Sequence, residues 1–239
     1  MARKYNVNTS YFKTIDTPEK AYWLGFIAAD GCVTSTGHKL QLAVSEIDKD
    51  HLESFKQSIG SEHPISVRNG DGSYTNCADM YCLTIGSKEI CNDLISHGIT
   101  PRKSNTLEFP VLDVDLESHF IRGYFDGDGF ISNSTYIYKN EQRKSPMVGF
   151  TETYSVLESI REKVPYNGFG QIGKNGISDT NKRFAINGSK KVKVVYEYLY
   201  TDSEMCLPRK KEKFVNYFGD LEGSETIIAQ PNEKSTVKV

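Results

Sequence analysis

The sequence predicts an α+β fold in which two αββαββα repeats, each with antiparallel sheets, are related by a pseudo-twofold axis. Two similar segments, GFIAADG at residues 25–31 and GYFDGDG at residues 123–129, each lie in the first helix of such a series of elements. Shorter matches recur in the same order, including Pro-Arg-Lys at 101–103 and 208–210, which indicates an internal duplication. The predicted parts are an N-terminal extension (1–16), a first repeat (17–110), a second repeat (111–218) and a polar C-terminal tail (219–239).

The first repeat begins with a predicted helix whose N-terminus is marked by three residues. Thr17 is the expected N-cap, Pro18 occupies the first helical position, and Glu19 places an acid in the first turn. Apolar residues at helical spacing continue this helix to Gly31. The following elements are predicted from alternation, helical period and turn residues: a strand at 39–45, a helix at 50–60, a hairpin from 65–73 and 80–86, and a helix at 87–98.

The second repeat is predicted to run through the same order. Ser45-Glu46 of the first repeat is expected to match Thr151-Glu152 of the second. The tail is rich in polar and turn residues, so we expect a loose extension there. The predicted elements are a motif helix at 119–129, strands at 130–139 and 146–152, a helix at 155–164, a hairpin from 169–178 and 182–189, and a helix at 190–200.

The composition is that of a globular chain. Of its 239 residues, 38% are hydrophobic, which is enough for a packed core. No apolar run is long enough to cross a membrane and the start lacks the apolar core of a signal peptide, so we expect a soluble intracellular protein without a membrane partner. The five cysteines form no CxxC pair, which favours reduced thiols in or near the core over a metal cluster.

Small residues recur on the two motif helices at a spacing of four. Gly25 and Ala29 lie on the first helix, and Gly123 and Gly127 occupy the same places on the second. Such a stripe lets two helix backbones approach closely. We therefore expect the motif helices to pack side by side and parallel through these four residues.

Each motif helix ends with an aspartate, although the C-terminus of a helix is already partially negative. Parallel packing would bring Asp30 and Asp128 together at one end. Two such carboxylates repel, raise a pKa or recruit a cation, and a hard divalent ion, Mg²⁺ above all, resolves the conflict best. A carboxylate pair that holds metal ions suits phosphodiester hydrolysis.

At these residues the chain resembles the LAGLIDADG homing endonucleases, in the monomeric form that carries two motifs. WLGFIAADG at 23–31 and IRGYFDGDG at 121–129 match the family motif, and the similarity extends over about residues 17–218. The resemblance implies that the two sheets form a saddle over the DNA major groove, with the motif helices between the halves. It also implies intron homing by a double-strand break at a long target, with short 3′ overhangs.

The resemblance assigns roles to eight residues. Two or three divalent ions, Mg²⁺ with Mn²⁺ as a substitute, are expected. Because Ala28 stands where the second motif has Asp126, off the catalytic position, we expect no loss of activity from this departure. Since the halves differ, the target should be partly palindromic. The implied roles are metal binding by Asp30 and Asp128 with help from the carbonyls of Ala29 and Gly127, ordering of metal-bound water by Glu46 and Glu152, and stabilisation of phosphate charge by Lys103 and Lys210.

DNA contacts are expected from the solvent face of the strands, where polar residues alternate with apolar ones. The net charge of −2 argues mildly against a nucleic-acid partner, but acids predominate in the first repeat and bases in the second. The second repeat should therefore supply most phosphate contacts. The candidate DNA-binding residues are Lys39, Gln41 and Arg68 in the first repeat, and Ser134, Tyr136, Tyr138, Lys174, Lys182 and Arg183 in the second.

Two other classes of function fit the same scaffold. An RNA maturase, with host intron RNA as an additional partner, would keep both acids. A DNA-binding regulator built on an inactive nuclease would normally lose one, and both Asp30 and Asp128 are present. An intein is disfavoured because the chain starts with MARK and ends with STVKV, without the expected terminal residues.

Overall fold

The computed structural model describes residues 4–68, 79–165, 171–175, 178–201 and 203–228. It confirms the α+β class and the repeated αββαββα order. The first repeat contains α1 (Pro18–Asp30), β1 (Gly31–Val33), β2 (Lys39–Ser45), α2 (Lys49–Ser58), β3 (Ile65–Arg68), β4 (Met80–Gly86) and α3 (Lys88–Ser96). The second contains α4 (Val114–Asp128), β5 (Phe130–Tyr138), β6 (Glu141–Glu152), α5 (Tyr154–Lys163), β7 (Gly173–Asn175), β8 (Ser178–Asn187) and α6 (Ser189–Tyr200), and is followed by α7 (Pro208–Ile228).

Each repeat builds one four-stranded antiparallel sheet. The strand orders, β1-β2-β4-β3 and β5-β6-β8-β7, are equivalent. In each sheet one face carries the buried apolar side chains and packs against the helices, while no helix of the described residues covers the opposite face, which is called the helix-free face. Leu42 and Leu83 represent the packed face of the first sheet, and Phe150 and Phe184 represent that of the second.

Helix α1 starts as predicted. The Thr17 side chain accepts a hydrogen bond from the Lys20 N–H at 3.2 Å, and Pro18 follows it. Every residue from Ala21 to Ala29 is buried, so this helix has no solvent-exposed polar face. A helix that is buried all round belongs to the centre of the molecule.

Helix α4 and strand β6 are longer than predicted, and helix α7, which follows the second repeat, was not predicted. Helix α4 begins at Val114 rather than 119. Strand β6 begins at Glu141 rather than 146, because Lys139 and Asn140 both adopt positive φ and close a two-residue hairpin turn without the usual glycine. Helix α7 continues to Ile228, so the first part of the expected loose tail, from residue 219, is helical.

Helices α1 and α4 contact each other through their glycines. A methyl group added to Gly25 would lie 2.0 Å from the Phe120 carbonyl oxygen, and one added to Gly123 would lie 1.9 Å from that of Tyr22. At Gly127 the added group would lie 2.4 Å from Ala29 Cβ. Only glycine permits this backbone-to-backbone approach.

The cysteines in the described part of the chain differ in exposure, and the exposed Cys32 departs from the expected place in or near the core. Cys82 and Cys91 are buried, Cys206 is half-buried and Cys32 is exposed, and all four are free thiols. Cys77 lies outside the described residues. No helix in the described part of the chain is both long and apolar enough to cross a membrane.

Candidate active site

The final residues of α1 and α4 form the centre of the site. Asp30 and Asp128 are exposed, while the residues before them on the same helices are largely buried. The Asp30 carboxylate lies against the opposite repeat, because a methyl group on Gly127 would come within 3.2 Å of its Oδ2. The close contact between the helices thus delivers the two acids to one place.

Both acids have raised pKa values, and burial is the largest cause for each. Desolvation by the surrounding protein raises the pKa of Asp30 to about 6, and the charge of Asp128 acts in the same direction. Desolvation also raises the pKa of Asp128, against the effect of Lys103 and Lys210. The positive charges of Lys103 and Lys210 favour the ionised form of both carboxyl groups.

Two lysines supply part of that charge and also bind the helix ends. Lys103 Nζ donates to the Ala29 carbonyl oxygen at 2.9 Å. Lys210 Nζ donates to the carbonyls of Phe125 and Gly127, at 2.7 and 3.0 Å, and to that of Gly129. Burial lowers the pKa of Lys103, and it lowers that of Lys210 to about 8. The carbonyls of Ala29 and Gly127, expected as metal ligands, already accept hydrogen bonds from these lysines.

The two glutamates do not occupy equivalent places. Glu152 is buried at the end of β6, where it accepts hydrogen bonds from the Tyr124 hydroxyl at 2.7 Å and the Thr153 N–H at 3.0 Å. Burial raises its pKa, and the charges of Lys103 and Asp128 also act on it. Glu46, by contrast, is exposed in a 3₁₀ turn after β2.

Strand register corrects the expected match between Glu46 and Glu152. Cys32 pairs with Gln41, and Phe130, which also follows a motif glycine, pairs with Gly149. Three residues further along each strand, Val44 occupies the place of Glu152. The prediction failed because residues 46–48 form a turn for which the second repeat has no counterpart.

Asp126, which sequence reasoning placed outside the site, is the centre of a buried hydrogen-bond network. It accepts hydrogen bonds from the hydroxyls of Tyr22 and Tyr200 at 2.8 and 2.6 Å and from the Leu207 N–H at 2.6 Å. Since the Tyr22 proton goes to Asp126, His51 donates from Nε2 to the Tyr22 oxygen at 2.8 Å. The substitution of aspartate for alanine within the motif was the available signal.

A second contact between the repeats was not anticipated from the sequence. Arg209, at the start of α7, donates to both carboxylate oxygens of Asp48 at 2.6 and 2.7 Å. This two-point contact joins the turn after β2 to the helix that carries Lys210. Nothing in the spacing of these residues, far apart in the sequence, could have paired them.

The donor chemistry fits a hard divalent cation. Asp30 and Asp128 offer carboxylate oxygens on the exposed side of the helix ends, and such oxygens are the ligands that Mg²⁺ and Ca²⁺ prefer. In the described part of the chain no group of three or more histidine, cysteine or acidic residues could hold a metal. A cation at this pair would therefore need further oxygens from water or a bound phosphate.

The register sorts the candidate DNA-binding residues by sheet face. The helix-free face of the first sheet carries Lys39, Gln41 and Arg68. Lys39 and Gln41 alternate along β2 with buried Leu40 and Leu42, and strand pairing through β4 places Arg68 on the same face. The same argument places four residues on the helix-free face of the second sheet: Ser134, Tyr136, Tyr138 and Arg183.

Lys174 and Lys182 lie on the other face of the second sheet. Glu152 pairs with Lys182, which pairs with Lys174, so all three share the face of buried Phe150. Successive side chains of a strand lie on opposite faces of the sheet. The structure therefore separates Lys182 from its neighbour Arg183.

Two sheets with helix-free faces, joined by glycine-contacting helices that end in aspartates, define the LAGLIDADG homing endonuclease fold in its single-chain, two-motif form. Neither a protein-family model nor a curated protein matches the sequence. Solved structures do match, at low sequence identity. At such identity the similarity establishes the fold.

Three of these structures show the extent of the match. The I-LtrWI LAGLIDADG homing endonuclease bound to target DNA matches with a TM-score of 0.60 and 13% identity over 92% of each chain. The LAGLIDADG meganuclease I-AabMI bound to uncleaved DNA has a TM-score of 0.57 and 12% identity, covering 88% of this chain and 93% of its own. I-SmaMI bound to an uncleaved DNA target in the presence of calcium ions has a TM-score of 0.56 and 13% identity, covering 85% and 89%.

Proposed function

We propose that the protein is a site-specific DNA endonuclease that makes a metal-dependent double-strand break and leaves short 3′ overhangs. The observation that carries the proposal is the pairing of Asp30 and Asp128 on the exposed ends of two helices in direct contact. The similar structures named above hold DNA, and one was determined with calcium ions present. The single chain supplies both halves of the site, so the active species would be a monomer.

The residues of the chain would divide the work as follows. The helix-free sheet faces would bind a long, partly palindromic duplex, and Asp30 with Asp128 would hold Mg²⁺, or Mn²⁺ in its place. A bound divalent ion supplies a Lewis acid that activates water and stabilises the leaving oxygen. Lys103 and Lys210 would stabilise charge on the phosphate while orienting the helix ends. Glu152, fixed by Tyr124, would orient water on its side of the site.

The raised pKa values of the two acids favour an enzyme over a DNA-binding regulator. Burial and the charge of Asp128 raise the pKa of Asp30 to about 6, and a bound cation would offset both effects. A protein that only binds DNA gains nothing from keeping both groups. Aspartate at both positions is therefore best explained by metal binding during cleavage.

Cleavage of a randomised duplex library, with sequencing of the cut ends, tests the proposal. Wild type should cut in Mg²⁺ and not in EDTA, while Asp30→Asn and Asp128→Asn should each abolish double-strand cleavage and keep DNA binding. Asp16→Asn is the matched control, because Asp16 is an exposed surface acid paired with Lys20 at 2.7 Å. Full cleavage by either active-site variant would overturn the assignment. Splicing stimulation by the double Asp30→Asn, Asp128→Asn variant would instead show a maturase with RNA as its partner.

A further inference from the structure

An aromatic ring and a guanidinium are stacked on the helix-free face of the second sheet. The Phe130 ring lies against Gly149, since a methyl group added to Gly149 would come within 2.4 Å of Phe130 Cζ. The Arg183 guanidinium lies on that ring, with its carbon 4.4 Å from the ring centroid. The missing side chain at Gly149 is what lets the stack lie across the middle strands.

The guanidinium is held in place without being neutralised. One terminal nitrogen, Nη2, contacts Met147 Sδ at 3.7 Å, a weak interaction. Its Nε is buried and has no hydrogen-bond partner within the described residues. No acid in the described part of the chain forms an ion pair with Arg183. Stacking therefore restricts the orientation of a full positive charge whose donors still lack strong acceptors.

The stack lies beside the candidate active site. Phe130 is the second residue after Asp128 in the chain. Gly129, between them, accepts a hydrogen bond from Lys210 through its carbonyl oxygen. Arg183 belongs to β8, the third strand of the sheet, and reaches over β6 to the ring on β5. Its charge is consequently at the middle of the sheet face rather than at an edge.

The first repeat has no counterpart of this stack. Register places Cys32 where the second repeat has Phe130, and Gln41 where it has Gly149. Thr84 pairs with Gln41 as Ala185 pairs with Gly149, so Cys82 stands in the position of Arg183. The two sheet faces thus present different chemistry at equivalent points.

We propose that Arg183 reads a guanine close to the cut in the half-site bound by the second repeat, and that the first repeat lacks this preference. The inference rests on the proposed DNA-cleaving function. An arginine offers two parallel donors that match O6 and N7 of guanine in the major groove. The planar stack on Phe130 fixes those donors before binding, which lowers the entropy lost on recognition.

Phosphate is the competing partner for the same charge. Backbone phosphates line the rims of the groove, whereas base edges lie at its floor. A guanidinium at the middle of the sheet face is placed for the floor. A phosphate contact would weaken binding to all sequences equally, so the two cases differ in what a selection experiment reports.

The test selects targets from a randomised duplex library by binding to the full chain in Ca²⁺, followed by cleavage of the selected pool in Mg²⁺. Wild type should select guanine at one position near the cut in one half-site. Arg183→Gln should lose that preference by about 5-fold to 150-fold and shift it toward adenine, which glutamine matches. Arg183→Lys, which keeps the charge without the planar fork, should weaken the preference and retain the salt dependence of binding. Arg68→Gln, on the face of the first sheet, is the matched control and should leave that position unchanged.

The outcomes separate this inference from the proposed function. An unchanged base profile in Arg183→Gln, with equal loss of affinity for all sequences, would overturn the inference and indicate a phosphate contact. Loss of the guanine preference in Arg183→Gln, together with failure of wild type to cleave the selected pool in Mg²⁺, would support the inference and overturn the proposed nuclease function. Failure of wild type to select any sequence would overturn both. Matching thermal midpoints of Arg183→Gln, Arg183→Lys and wild type would exclude misfolding as the cause.

Discussion

The two repeats share a backbone but differ in the polar groups that they bury. Both contribute a motif helix with glycine at the closest approach and aspartate at its end. The second places buried acids within that helix and at the end of its second strand, with Asp126 in place of Ala28 and Glu152 in place of Val44, whereas the buried acid of the first, Asp48, lies in the turn after β2. The features common to both are those that bring the end carboxylates together, so the duplication kept what the site needs and diverged elsewhere.

The divergence is coupled to tyrosines. A buried carboxylate is costly unless it accepts hydrogen bonds. Asp126 accepts them from Tyr22 and Tyr200, and Glu152 accepts one from Tyr124. The first motif helix has Phe26 where the second has Tyr124. The hydroxyl donor to Glu152 is therefore absent from the repeat that has Val44 at the equivalent position.

The glycine contact is the symmetric feature whose loss should have the largest effect. Gly25→Ala and Gly123→Ala should each destabilise the fold by about 3 kcal/mol or more, because the new methyl group meets a carbonyl oxygen that cannot move away. Urea denaturation measures the change. Gly86→Ala is the control, since nothing lies within 4 Å of the added group. A large loss for one variant alone would show that the helix contact is not symmetric.

Removal of Asp126 should have the next largest effect and would make the second motif resemble the first. Asp126→Ala leaves two tyrosine hydroxyls and the Leu207 N–H without their acceptor, at a cost of about 3 kcal/mol. Asp79→Ala, at an exposed acid, should change the free energy of unfolding little. Equal stability of the Asp126 and Asp79 variants would mean that the network contributes nothing to the fold.

The two glutamates should differ in their effect on cleavage. Glu152→Gln should slow cleavage by roughly 10-fold to 100-fold, because Glu152 is fixed beside the carboxylate pair, whereas Glu46→Gln should leave the rate unchanged. Single-turnover rates in Mg²⁺ compare the two. Equal slowing by both variants would restore the symmetric assignment that the strand register rejects.

The histidine bonded to Tyr22 should make stability depend on pH. Burial lowers the pKa of His51 to about 4, so the unfolded chain binds its proton more readily than the native chain below about pH 6.5. Native stability attributable to His51 is therefore complete well above that pH and falls by about 2.5 kcal/mol on acidification to pH 4.5. His51→Gln, which can still donate to Tyr22, should show a smaller fall in urea denaturation between pH 7 and 4.5. Parallel pH profiles for the variant and wild type would contradict the assignment.

The smallest effect concerns the salt dependence of DNA binding. The charge of the second repeat predicted that Lys182 anchors phosphate, but Lys182 lies on the face of Glu152. Lys39→Gln, on the helix-free face of the first sheet, should reduce the slope of log affinity against log salt by about 0.9, while Lys182→Gln should leave it unchanged. Binding isotherms at several salt concentrations decide this, and a flatter slope for Lys182→Gln would return that lysine to the interface.

The fold was predictable from the sequence because its strongest signals are local. The cap at Thr17, the alternation at 39–45 and the glycine stripe each determine a structure within a few residues. The pair Asp30 and Asp128 followed from the glycines, since parallel close packing leaves no other place for the helix ends.

The remaining features depend on register and on distant partners. The insertion of a turn at 46–48 moved Glu46 away from the place of Glu152, and a repeat match of two residues cannot detect it. The partners of Asp126 and Arg209 are specified only by the packed fold. The hairpin turn at Lys139 and Asn140 lacks glycine, so no turn residue marked the longer hairpin of β5 and β6.

The hydrogen bond between Tyr22 and Asp126 also governs which halves can be recombined. The glycine contact is backbone against backbone and would accept a motif helix from another two-motif protein. The Tyr22 bond is a side-chain match between the halves. A chimaera that takes only the second half from this chain would bring Asp126 and Tyr200 without Tyr22, and one that takes only the first half would bring Tyr22 without its acceptor. Any exchange of halves, whether by genetic recombination or by engineering, must therefore supply a partner for this hydrogen bond.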